Sequence, residues 1–467
     1  MKMWSGRFRQ PLDPSFERWQ RSFPFDRRLL PHELDASRAH ARALANAGTL
    51  SGEELGSMLL ALDEIGGRAS ASPQYLEDGE AEDVHHFVEK ELAALIGDLG
   101  YKLHSGRSRN EQIATDLRLY VRAAIDRLQE ALLDLMEVLL AQAEAAGQAA
   151  MPAYTHLRRA EPVLIAHWLL AYVEMLARDI ERLTDCRKRV NLCPLGSGAV
   201  AGTTIALDRA AIARELGFAG PTANSVDATG DRDFVLEFST ATCLLALHLS
   251  RWAEEMILFS TQEFGFLDLP EAYSTGSSAM PQKTNPDLLE LVRGKAGRLV
   301  GNATALMGSM KALPLAYNKD LQETQQPLFE ATDTMSALLP LVTACMRAVR
   351  FDYGRMQSAA ASGFMNAWAA ATYLVRQGVP FRRAHEQIGN AVAYCLQRDC
   401  QLVDLSLDQL RQFNSCFEQD FYSCLTLESV LGIHDVPGGT APGQVQVALA
   451  SAKRRLASMR GLAHAHA

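Results

Sequence analysis

Much of what would assign this chain at sight is missing from it. Among its 467 residues there is no stretch of about 18 uncharged apolar residues, so no segment reads as a membrane span. The opening Met1-Lys2-Met3-Trp4-Ser5-Gly6-Arg7-Phe8 has no apolar signal region, and the expected location is cytoplasmic. Basic residues form no long run, and 46 Lys and Arg are outnumbered by 55 Asp and Glu for a net charge of -9, which argues against a nucleic-acid partner. Small anions must then be caught by local charges. The eight cysteines (Cys186, Cys193, Cys243, Cys345, Cys395, Cys400, Cys416 and Cys424) lack Cys-x-x-Cys spacing and nearby paired histidines, so neither a zinc site nor a disulfide frame is indicated. They read as buried thiols. Nothing repeats at a period of about 20 to 50 residues, which disfavours a helical binding scaffold. No run of alternating strands stands out either, so the chain reads as mostly α.

What is present begins with another absence. From Glu111 to about Ala146 there is no Gly or Pro, and apolar residues recur at Ile113, Leu117, Val121, Ala124, Leu128, Leu132, Leu135 and Leu139. Those steps of three and four predict one nearly straight helix of roughly 50 Å. Comparable patterns cover 162–188, 237–263, 286–312 and 326–349, the last broken at Pro340. Helices this long need an extended bundle to bury them, so a homo-oligomer is expected. The expected architecture is a long-helix bundle forming the core of a homotetramer, with smaller helical N- and C-terminal domains. Its boundaries fall at 1–105, 106–355 and 356–467. Polar, Gly-rich and Pro-rich joints at 101–110, 147–161, 190–204, 220–233 and 264–286 are where a rigid scaffold would present its chemistry.

The richest joint is Gly276-Ser277-Ser278-Ala279-Met280-Pro281-Gln282-Lys283-Thr284-Asn285-Pro286. It sets two hydroxyls behind a hinge glycine, a cation six residues after the first hydroxyl, and a helix start beyond. Asn285 as N-cap, Pro286 at the first helical position and Asp287 in the first turn make that start. A serine hydroxyl becomes a base only when nearby positive charge or a partner base stabilises its deprotonated form, and Lys283 and the helix N-terminus could do so. A second joint, Met151-Pro152-Ala153-Tyr154-Thr155-His156-Leu157-Arg158-Arg159-Ala160-Glu161-Pro162, holds a histidine, the natural proton shuttle near neutral pH. A third, His104-Ser105-Gly106-Arg107-Ser108-Arg109-Asn110-Glu111-Gln112, packs two guanidiniums and an amide onto a helix entrance, where carboxylates bind well. The loop Val436-Pro437-Gly438-Gly439-Thr440-Ala441-Pro442 lacks the Lys and the strand–helix context of a phosphate cradle, and reads as a turn.

The first string resembles the GSSxMPxKxNP signature of the fumarase/aspartase lyase superfamily, and the second its THxQxAxP motif. Tyr154, the third string, Glu82-Asp83-Val84-His85, the segment from Asn224 to Asp233, Tyr317-Asn318-Lys319-Asp320-Leu321-Gln322-Glu323 and the stretch from Arg376 to His385 resemble argininosuccinate lyases. Together the matches run from Trp4 to Gly443 in the family's order. The resemblance implies reversible cleavage of argininosuccinate to arginine and fumarate, with no metal or organic cofactor, at sites shared between subunits of a tetramer. It implies Ser277 as base, Lys283 as the cation beside the developing charge, and His156, held by Glu290, on the leaving side or setting the electrostatics. Substrate contacts would be Ser22, His85, Arg109, Asn110, Thr155, Asn285, Tyr317 and Gln322.

Several departures mark this chain within that resemblance. Glu111 stands for an aspartate, Arg158 and Glu161 for a glutamine pair, Gln325 for a substrate-contacting lysine and Thr284 for a frequent lysine. Since the substrate carries three carboxylates, Arg158 is expected to compensate for Gln325 in binding. Alternative readings are another fumarate-releasing lyase (adenylosuccinate lyase, aspartase or fumarase) and an idle crystallin-like structural protein.

Overall fold

The structure is a computed structural model that describes residues 10 to 464. The opening Met1 to Phe8, with Trp4, lies outside the described residues. Four helices of the N-terminal part matter for the site: α1 (Phe23–Asp26), α2 (Leu30–Asn46), α3 (Gly52–Ala71) and α4 (Val84–Ile96). Five long helices follow: α5 (Arg109–Ala146), α6 (Ile165–Val190), α7 (Asp233–Ser260), α8 (Asp287–Met310) and α9 (Gln325–Ala348). The C-terminal part includes α10 (Ala367–Arg376), α11 (Phe381–Arg398) and α12 (Pro442–His464).

The apolar spacing of α5 does what its period requires. Leu117, Val121, Ala124, Leu128, Leu132, Leu135 and Leu139 are all buried along its 38 residues. The expected break at Pro340 does not occur, and α9 runs straight through it. Proline removes one N–H from the ladder, but Ser336 and Pro340 both sit on the exposed face, where water can satisfy the released carbonyl. By length and composition α7 could cross a membrane. Half of its apolar window is buried, with Phe234, Phe238, Leu245, Trp252 and Met256 inside, so it is a core helix.

Strands are few, as expected, but not absent. Among the described residues three two-stranded antiparallel ribbons form: β1 (Ala150–Thr155) with β2 (Arg158–Leu164), β3 (Leu267–Asp268) with β6 (Arg350–Phe351), and β4 (Thr275–Gly276) with β5 (Thr284–Asn285). Two of them are the joints singled out for chemistry.

The chain forms two compact units. One holds the residues up to Leu128 with Glu181–Leu244 and Gly297–Met335; the other holds Gln129–Ile180, Leu245–Ala296 and Ser336–Ala467. The first is packed around Phe23 and Phe87, stacked at 5.0 Å, and around small residues of α2 (Ala36, Ala39, Ala43) that meet Leu119, Leu195 and Ile212. In the second, α10 and α11 close over Phe417 and Phe421 in a separate C-terminal core that also takes up Cys395. The cysteines are free, and burial pushes the Cys186, Cys193, Cys345 and Cys395 thiols up.

Candidate active site

The second unit carries Thr155, His156, Arg158, Ser277, Lys283, Asn285 and Glu290. Thr155 pairs with Arg158 across β1–β2, leaving His156 and Leu157 as a two-residue turn. Both have positive φ, 54° and 57°. That is the backbone of a type I′ hairpin turn, for which Asn and Gly are the easy residues. A histidine and a leucine held there carry strain of the kind that gathers at functional sites. Thr155, His156, Leu157 and Arg158 are all exposed, and Leu157 is 77% so. The ribbon itself is anchored. Arg159 Nη1 donates to Ser362 Oγ at 2.9 Å, and Leu164 N–H donates to Thr440 Oγ1 at 2.8 Å. Glu161 Oε1 lies 3.3 Å from His434 Nε2, so this departure from the family's string faces a histidine. The loop that brings in Thr440 is a turn, as expected, and a Cβ on Gly439 would come within 2.1 Å of the His434 carbonyl.

The β4–β5 neck closes the loop that carries Ser277 and Lys283. Thr275 pairs with Asn285 and Gly276 with Thr284. Asn285 is therefore in a strand, its Nδ2 3.5 Å from Thr275 Oγ1, and α8 begins one residue later than expected, at Asp287. Pro286 supplies the first helical carbonyl, accepting from Glu290 N–H at 3.0 Å. Thr275 donates its hydroxyl to Asp287, tying the neck to the helix's first turn. Within the loop, Ser277 Oγ accepts the backbone N–H groups of Ala279 at 3.3 Å and Met280 at 3.1 Å. Lys283 is exposed and, among the described residues, has no carboxylate within ion-pair distance. Glu290 is exposed too, and its ion pair is with Arg293 at 4.0 Å. The His156–Glu290 pairing expected from the resemblance is not made inside one chain among the described residues.

The first unit carries Ser22, His85, Arg109, Asn110, Tyr317, Gln322 and Gln325. Arg109 opens α5, and its Nη1 lies 3.0 Å from Asp83 Oδ2 and 3.3 Å from Glu82 Oε2. Asn110 Nδ2 donates to the Ala199 carbonyl at 3.1 Å. Gln322 Nε2 donates to the Gln20 carbonyl at 3.1 Å, two residues before Ser22. Ser22 is buried and gives its hydroxyl proton to Asp26 Oδ2 at 2.6 Å. Tyr317 is half-buried, and burial pushes its hydroxyl up while Arg232 pulls it back. Arg107, grouped with Arg109 in the sequence, turns inward instead, to Ser37 Oγ at 2.9 Å and Glu33 at 3.7 Å. Gly106 allows that entry with a φ of 66°, where a Cβ would meet Thr203 Oγ1 at 2.8 Å.

Two further expected contacts are, like Ser22, buried within this chain. His85 is buried, with Nε2 3.0 Å from Asp116 Oδ2 and 3.6 Å from Glu33 Oε2, so its ring serves an internal cluster. Gln325 is 4% exposed and its Oε1 has no hydrogen-bond partner among the described residues. A lysine here would bury a charge, which is costly without a partner. Glu111 is also accounted for: one carboxylate oxygen takes Ser108 N–H at 3.0 Å and the other Gly198 N–H at 2.9 Å, a span suited to the longer side chain.

Sequence reading missed the acids behind these residues. Burial and Asp83 push the Asp26 carboxyl up to about 7, against Ser22, His85 and the Val84 N–H. Burial opposes charge on Asp83, but Arg109 and then His85 hold it below the usual carboxylate range. Burial likewise opposes a charged His85, yet Glu33, Asp116 and Asp83 outweigh it and raise the ring to about 9. Glu33, His85 and Asp116 could together hold a metal ion, their ligand atoms lying within 4.8 Å of one another. The His85 imidazolium and Arg107 already bring positive charge to those carboxylates.

Residues 6–301 match the family model described as Lyase, and residues 364–432 the one described as Argininosuccinate lyase C-terminal. The argininosuccinate lyase of Koribacter versatilis (strain Ellin345) is 58% identical over 467 residues, 100% of each chain. That of Acidobacterium capsulatum is 59% identical over 460 residues, covering 97% of this chain and 95% of its own. A solved EDDS lyase in complex with formate superimposes with a TM-score of 0.87 at 26% identity, covering 98% of this chain and 93% of that one. A fumarate lyase from Mesorhizobium sp. BNC1, at 19% identity and a TM-score of 0.71 over 94% of this chain and 100% of that one, shares the fold. With relatives this similar along its whole length and both family models matched in order, the chain belongs to the argininosuccinate lyases.

Proposed function

We propose that Ser277 is the base in the elimination this family performs, the reversible cleavage of argininosuccinate to arginine and fumarate in arginine biosynthesis. The observation that carries the assignment is the Ser277 oxygen facing two backbone N–H groups, with Lys283 on the same loop and uncommitted to any carboxylate among the described residues. Amide dipoles at that oxygen, with an ammonium on the same loop, favour its alkoxide, as fixed donors favour an oxyanion. The alkoxide takes the proton from the carbon next to a substrate carboxylate. The electron pair spreads onto that carboxylate, then forms the carbon–carbon double bond as the carbon–nitrogen bond to the guanidinium breaks. Lys283 stabilises the intermediate charge.

His156 acts on the leaving side, and we place its contact with Glu290 between subunits, because neither meets the other within one chain. The assembly is a homotetramer with shared sites, as the family resemblance implies, and the enzyme works in the cytoplasm. Arg109, Asn110, Ser22, Tyr317, Gln322, Thr155, Asn285 and Arg158 bind the substrate. Arg158 supplies the positive charge that Gln325 lacks. The test is the absorbance of released fumarate with argininosuccinate as substrate, for the parent enzyme and for Ser277→Ala. Undiminished turnover without the hydroxyl removes Ser277 from the role.

A further inference from the structure

Asp26 ends α1 and is 1% exposed. Its Oδ2 accepts the Ser22 hydroxyl at 2.6 Å, and its Oδ1 accepts the backbone N–H of Val84 at 3.1 Å. Val84 opens α4 directly after Asp83, whose carboxylate lies 3.0 Å from Arg109. The same joint is closed from the other side, since Ser22 and Phe23 donate their N–H groups to the Glu82 carbonyl at 2.9 and 3.1 Å. Glu82 in turn lies 3.3 Å from Arg109 and 3.5 Å from Lys319. One buried carboxyl is thus bonded to one substrate-facing residue and to the turn that aims a second.

The elimination has no use for Asp26, which is shut away from solvent and touches no reacting atom. A carboxyl in the interior, close to Asp83, is unfavourable unless its bonds accomplish something that an apolar residue would not. We propose that Asp26 is a positioning residue for substrate binding, holding Ser22 and the Asp83–Arg109 pair in one fixed relation. The inference rests on the reading that Ser22 and Arg109 contact the substrate. Asparagine at this position keeps the volume but cannot accept on both sides, because its amide nitrogen only donates. Ser22 or the Val84 N–H then loses its acceptor.

The test is steady-state fumarate release by the full-length assembled enzyme for Asp26→Asn, Ser22→Ala, the double variant and Arg109→Lys, with thermal unfolding of each. Asp26→Asn and Ser22→Ala are each expected to raise KM about tenfold, as loss of a hydrogen bond to a charged group does. Their kcat stays within about threefold of the parent, because only ground-state positioning is lost. The double variant should be no worse than the weaker single one, the non-additivity of two residues that act as a unit. If Asp26→Asn does not fold, Asp26→Ser carries the same comparison. An unchanged KM in Asp26→Asn beside raised values in Ser22→Ala and Arg109→Lys overturns the proposal alone. So do effects that multiply, or failure of both Asp26 variants to fold. Unchanged KM in both Ser22→Ala and Arg109→Lys overturns the reading of the site on which the proposal stands.

Discussion

His85 Nε2 faces Asp116 Oδ2 at 3.0 Å in the interior of the first unit, and Glu33 stands 3.6 Å from the same nitrogen. Both carboxylates are 0% exposed. A histidine set between two buried acids makes this cluster part of what holds α2, α4 and α5 together, and it makes the fold sensitive to alkali.

The sign follows from the direction of the shift. The folded His85 is raised to about 9 from its usual 6.5, so its contribution to stability is complete below about 6.5 and is lost as pH rises through 9. Burial and Glu33 push Asp116 up as well, which works in the same direction. Stability, read as melting temperature, is expected to fall between pH 6.5 and 9, with a free-energy loss on the order of 3 kcal/mol when complete. In His85→Gln the decline should shrink, most of all between pH 8 and 9, above the Asp116 titration, and a slope there equal to the parent's would place the titration elsewhere.

Ser277→Ala should lower kcat about a thousandfold while leaving KM within about threefold, because the hydroxyl acts in proton removal and not in holding the ground state. Ser277 is bonded only within its own loop, so the melting temperature should not move. Loss of KM with retained kcat would make it a binding residue instead.

Leu157 pairs high exposure with a positive φ, 77% and 57°. Glycine there gives up little burial and removes roughly 1 kcal/mol of backbone strain, so Leu157→Gly should melt higher than the parent. If the turn's rigidity serves to present His156, the same variant loses activity. A variant both less stable and fully active contradicts this account of the hairpin.

Arg158→Gln is expected to raise KM for argininosuccinate about tenfold, the cost of losing one charge-assisted bond to a carboxylate, with kcat little changed. The effect should shrink as salt is added, since an exposed cation is screened. An unchanged KM at low salt leaves Gln325 without compensation from this residue.

What the amino-acid order settled by itself is what local rules control. The three-and-four spacing from Ile113 to Leu139 makes a helix with one apolar stripe because that is the geometry of 3.6 residues per turn, and the structure buries that stripe. The strings around Ser277, His156 and Arg109 were legible because their chemistry is written in consecutive residues. Pro340 was misjudged because a proline's effect depends on whether its helix face meets water, a tertiary fact. The β1–β2 turn was hidden because neither His156 nor Leu157 is a residue that favours positive φ. Asp26, Glu33 and Asp116 gave no signal, since a lone acid in a helix looks solvated until the fold encloses it. Whether Arg107 or Arg109 faces outward, and whether His85 meets substrate or a buried carboxylate, was decided by packing. Side chains a few residues apart differ only in which way the assembled helices turn them, and burial then sets the charge each can carry.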